Sequence, residues 1–198
     1  MEVFSLPSFI KVCLLDTGSR ISELQKKIEG TGHDYYNPFN RAVARYIETK
    51  KVDEAELILD EPTQSHKRKN NTSAFNSFIE KFGSKTSLQR TDANGMVKFK
   101  QHEIAVKVSP LFEIEKSGVR QVYATWATQK PEMTQRYGAV ACHLMRQAFH
   151  SSNMANAQFF FYDLTSQRTY SEKQINNNTS KILHSDVRMI GTELKELK

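Results

Sequence analysis

The chain has 198 residues, of which 38% are apolar and 25% charged, and carries a formal net charge of +6. That length supports a well-buried core without disulfides or metals, and that composition excludes wholesale disorder. No run approaches the ~18 apolar residues of a membrane span.

The N-terminus lacks the basic start and apolar block of a signal peptide. Cys13 and Cys142 lie far apart without metal-ligand spacing, so two buried thiols in a reducing, cytoplasmic setting are expected. Charge is unevenly divided, −2 over residues 1–60 and +8 over residues 61–198. A basic majority of this kind points toward a polyanion, because Lys and Arg gain affinity by displacing phosphate counterions.

Residues 1–60 read as a helical region. Ser8 to Leu15 is a short apolar stretch, and Ile21, Leu24 and Ile28 follow at helical spacing up to Gly30. Asn37-Pro38 is a start signal, with Asn37 as the expected cap, for a helix bearing Phe39, Val43, Tyr46 and Ile47. Val52 to Leu59 reads as one more short helix. Residues 61–73 break the pattern. They contain Pro62 and the run His66-Lys67-Arg68-Lys69 with no large apolar side chain. This segment reads as a loop, either a solvated linker or a flexible phosphate contact through Lys67, Arg68 and Lys69.

Residues 74–198 read as a mixed α/β core. Ser73 is the expected cap of a helix carrying Phe75, Phe78, Ile79 and Phe82, with Gly83 at its end. Asp92 to Gly95 is a turn. Ile104, Val106 and Val108 alternate with polar or small residues, Phe112 and Ile114 with Glu113 and Glu115, and Gln121 to Thr128 is rich in β-formers. Lys130-Pro131 precedes a helix expected over Glu132 to Phe149. Phe159 to Leu164 has the continuous apolar character of a strand buried on both faces, with Arg168 to Glu172 as a hairpin partner. Leu183, Val187, Ile190, Leu194 and Leu197 then mark a C-terminal helix, and the stripe over residues 183–197 suits docking or pairing with a protein partner.

Two clusters carry candidate chemistry. Arg136, His143, Arg146 and His150 fall within an arc of about 80° on the helix before Phe149, and Lys130 lies just ahead of them. No acid interrupts them, so the flank is either a phosphate-binding face or a solvated one. Glu113 and Glu115 share one strand face beside Lys116, and Glu48 lies on an earlier helix. These carboxylates are either a solvent face or ligands for Mg²⁺. Asp163 closes the apolar Phe159–Leu164 run, and either it is a functional acid at a strand end or it caps the turn into Thr165.

From Ser73 to Leu164 the order helix, three strands, helix, strand resembles the αβββαβ core of the restriction-endonuclease-like superfamily, the PD-(D/E)xK nucleases. The closest stretch is Ser109-Pro110-Leu111-Phe112-Glu113-Ile114-Glu115, then Val122-Tyr123-Ala124-Thr125-Trp126, then Lys130-Pro131 and the helix. The resemblance implies paired carboxylates that hold a metal and a lysine that stabilises charge at the scissile phosphate. Leu111, Ala124 and Trp126 stand where it places those groups.

The resemblance therefore implies a pseudoenzyme that needs no cofactor, and together with the +8 charge and the flank of Lys130, Arg136, His143, Arg146 and His150 it leads to the expectation of a nucleic-acid-binding module. The alternatives are a divergent Mg²⁺-dependent nuclease using Glu113, Glu115, Asp163 and Lys116, or an assembly subunit without nucleic-acid contact.

Overall fold

A computed structural model describes residues 1–31 and 35–198. The chain opens with a strand, β1 (Glu2–Ser5), followed by the helices α1 (Leu6–Leu14), α2 (Thr17–Ile28), α3 (Asn37–Thr49), α4 (Val52–Asp60) and α5 (Ser65–Phe78). A π-turn (Ile79–Gly83) leads into β2 (Gln89–Arg90) and β3 (Gly95–Phe99), then a 3-10 turn (Lys100–His102) into β4 (Ile104–Val108), β5 (Phe112–Lys116) and β6 (Val119–Trp126). The chain continues through α6 (Gln135–Phe149), β7 (Gln158–Asp163), β8 (Arg168–Ser171), a second 3-10 turn (Glu172–Gln174) and α7 (Thr179–Glu196). The class is mixed α+β, and among the described residues no helix is long and apolar enough to cross a membrane.

Two mixed sheets divide the strands. One has the order β1-β4-β3 and the other β2-β5-β6-β7-β8. In the larger sheet β6 and β7 are parallel and linked through α6, while β5 and β8 run antiparallel to their neighbours. Its two faces are buried differently. Phe112, Tyr123 and Phe160 are in register across β5, β6 and β7, with stacked rings at 5.0 and 4.9 Å. Phe82 caps that row edge-on, and α3 and α5 cover it with Phe39, Val43, Phe75 and Phe78. The opposite face presents Val122, Ala124, Trp126, Phe159 and Phe161 to a core built around α6, which α1 and α7 also join.

α6 is the central element. It touches β7 and β8 on one side and β3 and β4 on the other. Gly138 makes the approach to β8 possible, because a Cβ there would stand 2.2 Å from the Tyr170 ring. Thr134 caps the helix by accepting from the Tyr137 amide, so α6 begins three residues later than the Pro131 signal implies.

Several expectations are corrected. The first residues form a strand parallel to β4, with Phe4 1% exposed, so the opening sixty residues are not purely helical. Asn37 is the first helical residue and Tyr36 precedes it as the cap position, without a side-chain cap bond. Residues 65–73 are not a loop. They form the first two turns of α5, and Ser73 is mid-helix rather than a cap.

The reason for that last difference is tertiary. Asn71 is fully buried, accepts from the Phe39 amide at 2.9 Å and donates to the Lys67 and Tyr35 carbonyls. Helix α5 is thereby pinned to the start of α3, which outweighs the weak helix preference of a polar run. Finally, Ile104–Val108 belongs to the smaller sheet. The strand beside β5 is the two-residue β2, not the one the αβββαβ count supplies.

Candidate nucleic-acid interface

The flank expected on α6 does not form one surface, because the helix lies between the two sheets. Arg146 makes a bidentate pair with Glu172 at 2.6 and 2.7 Å and donates to the Ala155 and Ala157 carbonyls. Its guanidinium also lies 4.8 Å over the Phe159 ring. It therefore clamps the connection from α6 to β7, with its donors committed. His143 is half-buried, with its Nε2 3.1 Å from Gln147, and burial followed by the nearby His184 lowers its pKa. It stays neutral where a free histidine would begin to charge. Lys130, Arg136 and His150 are exposed, but Arg136 and His150 stand at opposite ends of the helix, about 21 Å apart along its axis.

The basic run at the start of α5 is dispersed around the helix. Arg68 donates to the Pro62 carbonyl at 3.2 Å and lies 3.8 Å from Asp60, Lys67 packs 5.9 Å over the Tyr35 ring, and Lys69 is exposed.

The residues of the nuclease alternative are not brought together. Glu113 is taken by Arg120 at 2.6 Å, on the face of β5 away from the aromatic row. Glu115 and Lys116 are exposed at the hairpin end of β5. Asp163 is 3% exposed and accepts from the Thr165 amide, the Ser166 amide and the Ser166 hydroxyl, at 2.9, 3.3 and 2.6 Å. It caps the turn into Thr165. Glu113 is in register with Phe159, four residues before Asp163, so the two acids are offset by about 13 Å along the strands. Among the described residues no group of three His, Cys, Asp or Glu side chains is placed to hold a metal ion.

Leu111 and Ala124 line a cleft of about 720 Å³, bounded also by the first turn of α1, one face of α3 and the β2–β3 connection. Trp126 is fully buried against the core and lies outside that lining. The cleft contains neither the acids nor the lysine that the nuclease chemistry needs at those strand positions. It does carry Arg41, Arg45, Arg90 and Lys107. Arg41 pairs with Glu61 and Arg90 with Glu48 and Asp92 at solvent-exposed positions, and Arg45 pairs with the half-buried Glu54.

A continuous cationic surface lies instead on α7. Leu183, Val187, Ile190 and Leu194 are buried in the main core, which removes the apolar stripe over residues 183–197 as a free docking face. That orientation turns Lys181, His184, Arg188 and Lys195 to solvent, within an arc of about 60° and over about 21 Å of helix. Among the described residues, none of Lys181, Arg188 and Lys195 has a carboxylate within 4 Å. Glu193 is bidentate to the buried Arg20 at 2.8 Å, which keeps its charge off the stripe.

The 3-10 turn before β4 adjoins this face. Gly191 admits His102, the His184 ring meets Phe99 edge-on at 6.3 Å, and Lys100 is exposed on the same turn. The spacing of Lys181, Arg188 and Lys195 at seven-residue intervals is readable in the sequence, as the complement of the apolar stripe. The chain matches no protein-family model and no curated protein.

Proposed function

We propose that the protein is a non-catalytic nucleic-acid-binding module that holds the phosphate backbone on the solvent face of α7. The observation that carries this reading is the acid-free row Lys181, His184, Arg188 and Lys195, exposed along one helix, in which the three long cations have no carboxylate partner among the described residues and His184 bonds the Ser180 carbonyl at 2.7 Å. Three long cations repeated every two turns are suited to successive phosphates, and free cations gain more from a polyanion than paired ones do. The concentration of positive charge after residue 60 supports the same reading.

The degenerate nuclease-like fold remains part of the proposal. It is supported by the β5–β6–α6–β7 run, with β6 and β7 parallel and helices on both sheet faces. Leu111, Ala124 and Trp126 supply neither metal ligands nor an ammonium, which favours binding over cleavage.

Fluorescence anisotropy of labelled single- and double-stranded oligonucleotides tests the function. Three phosphate contacts predict that affinity for duplex falls about 40-fold between about 50 and 200 mM salt. The variant Lys181→Ala/Arg188→Ala/Lys195→Ala should lose most of that salt dependence and retain its melting temperature. Absence of binding at low salt would sink the function, and undiminished binding by the triple variant would remove α7 as the surface.

A further inference from the structure

The cleft between α3, the first turn of α1 and the strand ends lies apart from the α7 face, at the other end of β4. Lys107 stands near the end of that strand, and the 3-10 turn that adjoins α7 precedes its start. Three strands deliver their carboxyl-terminal residues to the cleft, with Ser5 from β1, Lys107 from β4, and Ala124 and Thr125 from β6. Crevices beyond the carboxyl ends of strands in open α/β sheets are the usual place for ligands. A volume of about 720 Å³ is within the range of small-molecule sites.

We propose that this cleft binds a phosphorylated nucleoside, with the phosphate seated at Lys107. Lys107 is exposed and, among the described residues, has no carboxylate within 4 Å. It is in register with Ser5, whose hydroxyl donates to the Ser8 hydroxyl at 2.8 Å and so leaves the Ser8 proton free for an acceptor. Ammonium and hydroxyl together form a donor corner for phosphate oxygens.

Arg90 borders the same cleft. Its contacts with Glu48 and Asp92 are exposed, at 3.1 and 3.6 Å, and pairs of that kind contribute little, so a phosphate oxygen can replace either partner. A carboxylate released from Arg90 is an acceptor for ribose hydroxyls. Half-buried Ile58 and Leu111 offer apolar wall for a sugar or base. A bare phosphate fills only a small part of the space, and the wall chemistry suits a ligand with both a charged and an apolar end. This inference does not rest on the α7 reading.

Amide chemical-shift titrations of the full chain test it, with inorganic phosphate, the common nucleoside monophosphates, and one short oligonucleotide with and without a 5′-phosphate as separate arms. The expected result is saturable binding of at least one nucleoside monophosphate at least ten-fold tighter than inorganic phosphate, with shifts at Ser5, Ser8, Lys107 and Ser109. Lys107→Gln should weaken it at least ten-fold, and Lys181→Ala/Arg188→Ala should leave it unchanged.

A preference for the 5′-phosphorylated oligonucleotide over the free nucleotide would assign the ligand as a strand end, still a phosphorylated nucleoside. Lys107 is exposed, so the variant should keep its melting temperature. Should it not, Arg90→Gln provides the same comparison. Equal affinity for inorganic phosphate and nucleotide would overturn the proposal. So would shifts confined to α7, no saturable binding, or binding indifferent to both variants.

Discussion

At neutral pH the Asp186 carboxyl sits where ionisation is disfavoured. It is 8% exposed and faces Tyr137 and Cys13, while its Oδ2 has no hydrogen-bond partner among the described residues. Burial raises its pKa, against the opposing pull of Tyr137, Arg20, Cys13 and Arg136. Because the folded chain keeps this proton after the unfolded chain has lost it, its contribution to stability is full below about pH 3.9. That contribution is lost as pH rises through the folded-state value.

Asp186→Asn should therefore raise the melting temperature at neutral pH and leave the acid end nearly unchanged, as read by thermal melts across pH. A larger loss at neutral than at acid pH would contradict this. The same burial raises the Cys13 thiol well above its usual range, so Cys13 should react slowly with alkylating reagents in the folded state. Burial of this kind is not legible in the sequence, where Asp186 is one polar letter in an amphipathic helix. Arg146 presents a similar problem, because its role depends on Glu172 meeting it from the turn after β8.

Helices with a strong apolar period were readable at the element scale, and α3, α6 and α7 occupy nearly the residues their spacing implies. The β5–β6 hairpin and the β7–β8 hairpin were also legible, since alternation and tight turns are local signals. What was not legible depends on partners far away in the chain. β1 has four residues and, among the described residues, pairs with β4 alone, and the start of α5 is held by the buried Asn71. On α6, Arg136 and His150 are exposed as the spacing implies, whereas the half-burial of His143 and the pairing of Arg146 with Glu172 depend on elements that helical spacing does not reveal.

Gly138 records how close that covering is. Gly138→Ala should force the Tyr170 ring away and destabilise the fold by about 1–3 kcal/mol. For a chain of this size that corresponds to a fall in melting temperature of about 2–12 °C, measured by circular dichroism. An unchanged melt would show that β8 can yield without cost.

Taken as a whole, the molecule separates two cationic regions by the length of β4. One is a helix face with unpaired Lys and Arg, and the other a cleft in which Arg41, Arg45 and Arg90 are each balanced by a carboxylate. The summed charge of residues 61–198 indicates a cationic majority but not this division, which depends on pairs such as Arg41–Glu61 and Arg90–Glu48.

The C-terminal helix joins the two concerns of stability and binding. Removing residues 181–198 deletes Leu183, Val187, Ile190 and Leu194 from the core, about 6–12 kcal/mol of burial at the usual value per side chain. That is comparable to the whole stability of an ordinary domain. The truncated chain should therefore lose its cooperative melt, rather than merely dissociate from a partner. A folded truncated chain would show that the helix is an appendage.

The pairing of β1 with β4 also sets an order of events in folding. Glu2 meets Ile104 across a separation of about one hundred residues, and closing a flexible loop of that length costs roughly 4 kcal/mol of entropy. Such a contact forms late, after the local hairpins and helices have shortened the effective loop. Phe4 is buried at that junction, with its ring 6.2 Å from Phe9. Phe4→Ala should therefore accelerate unfolding and leave refolding nearly unchanged, which the two arms of a denaturant chevron would separate. Residues 2–5 would then be among the last to take their places.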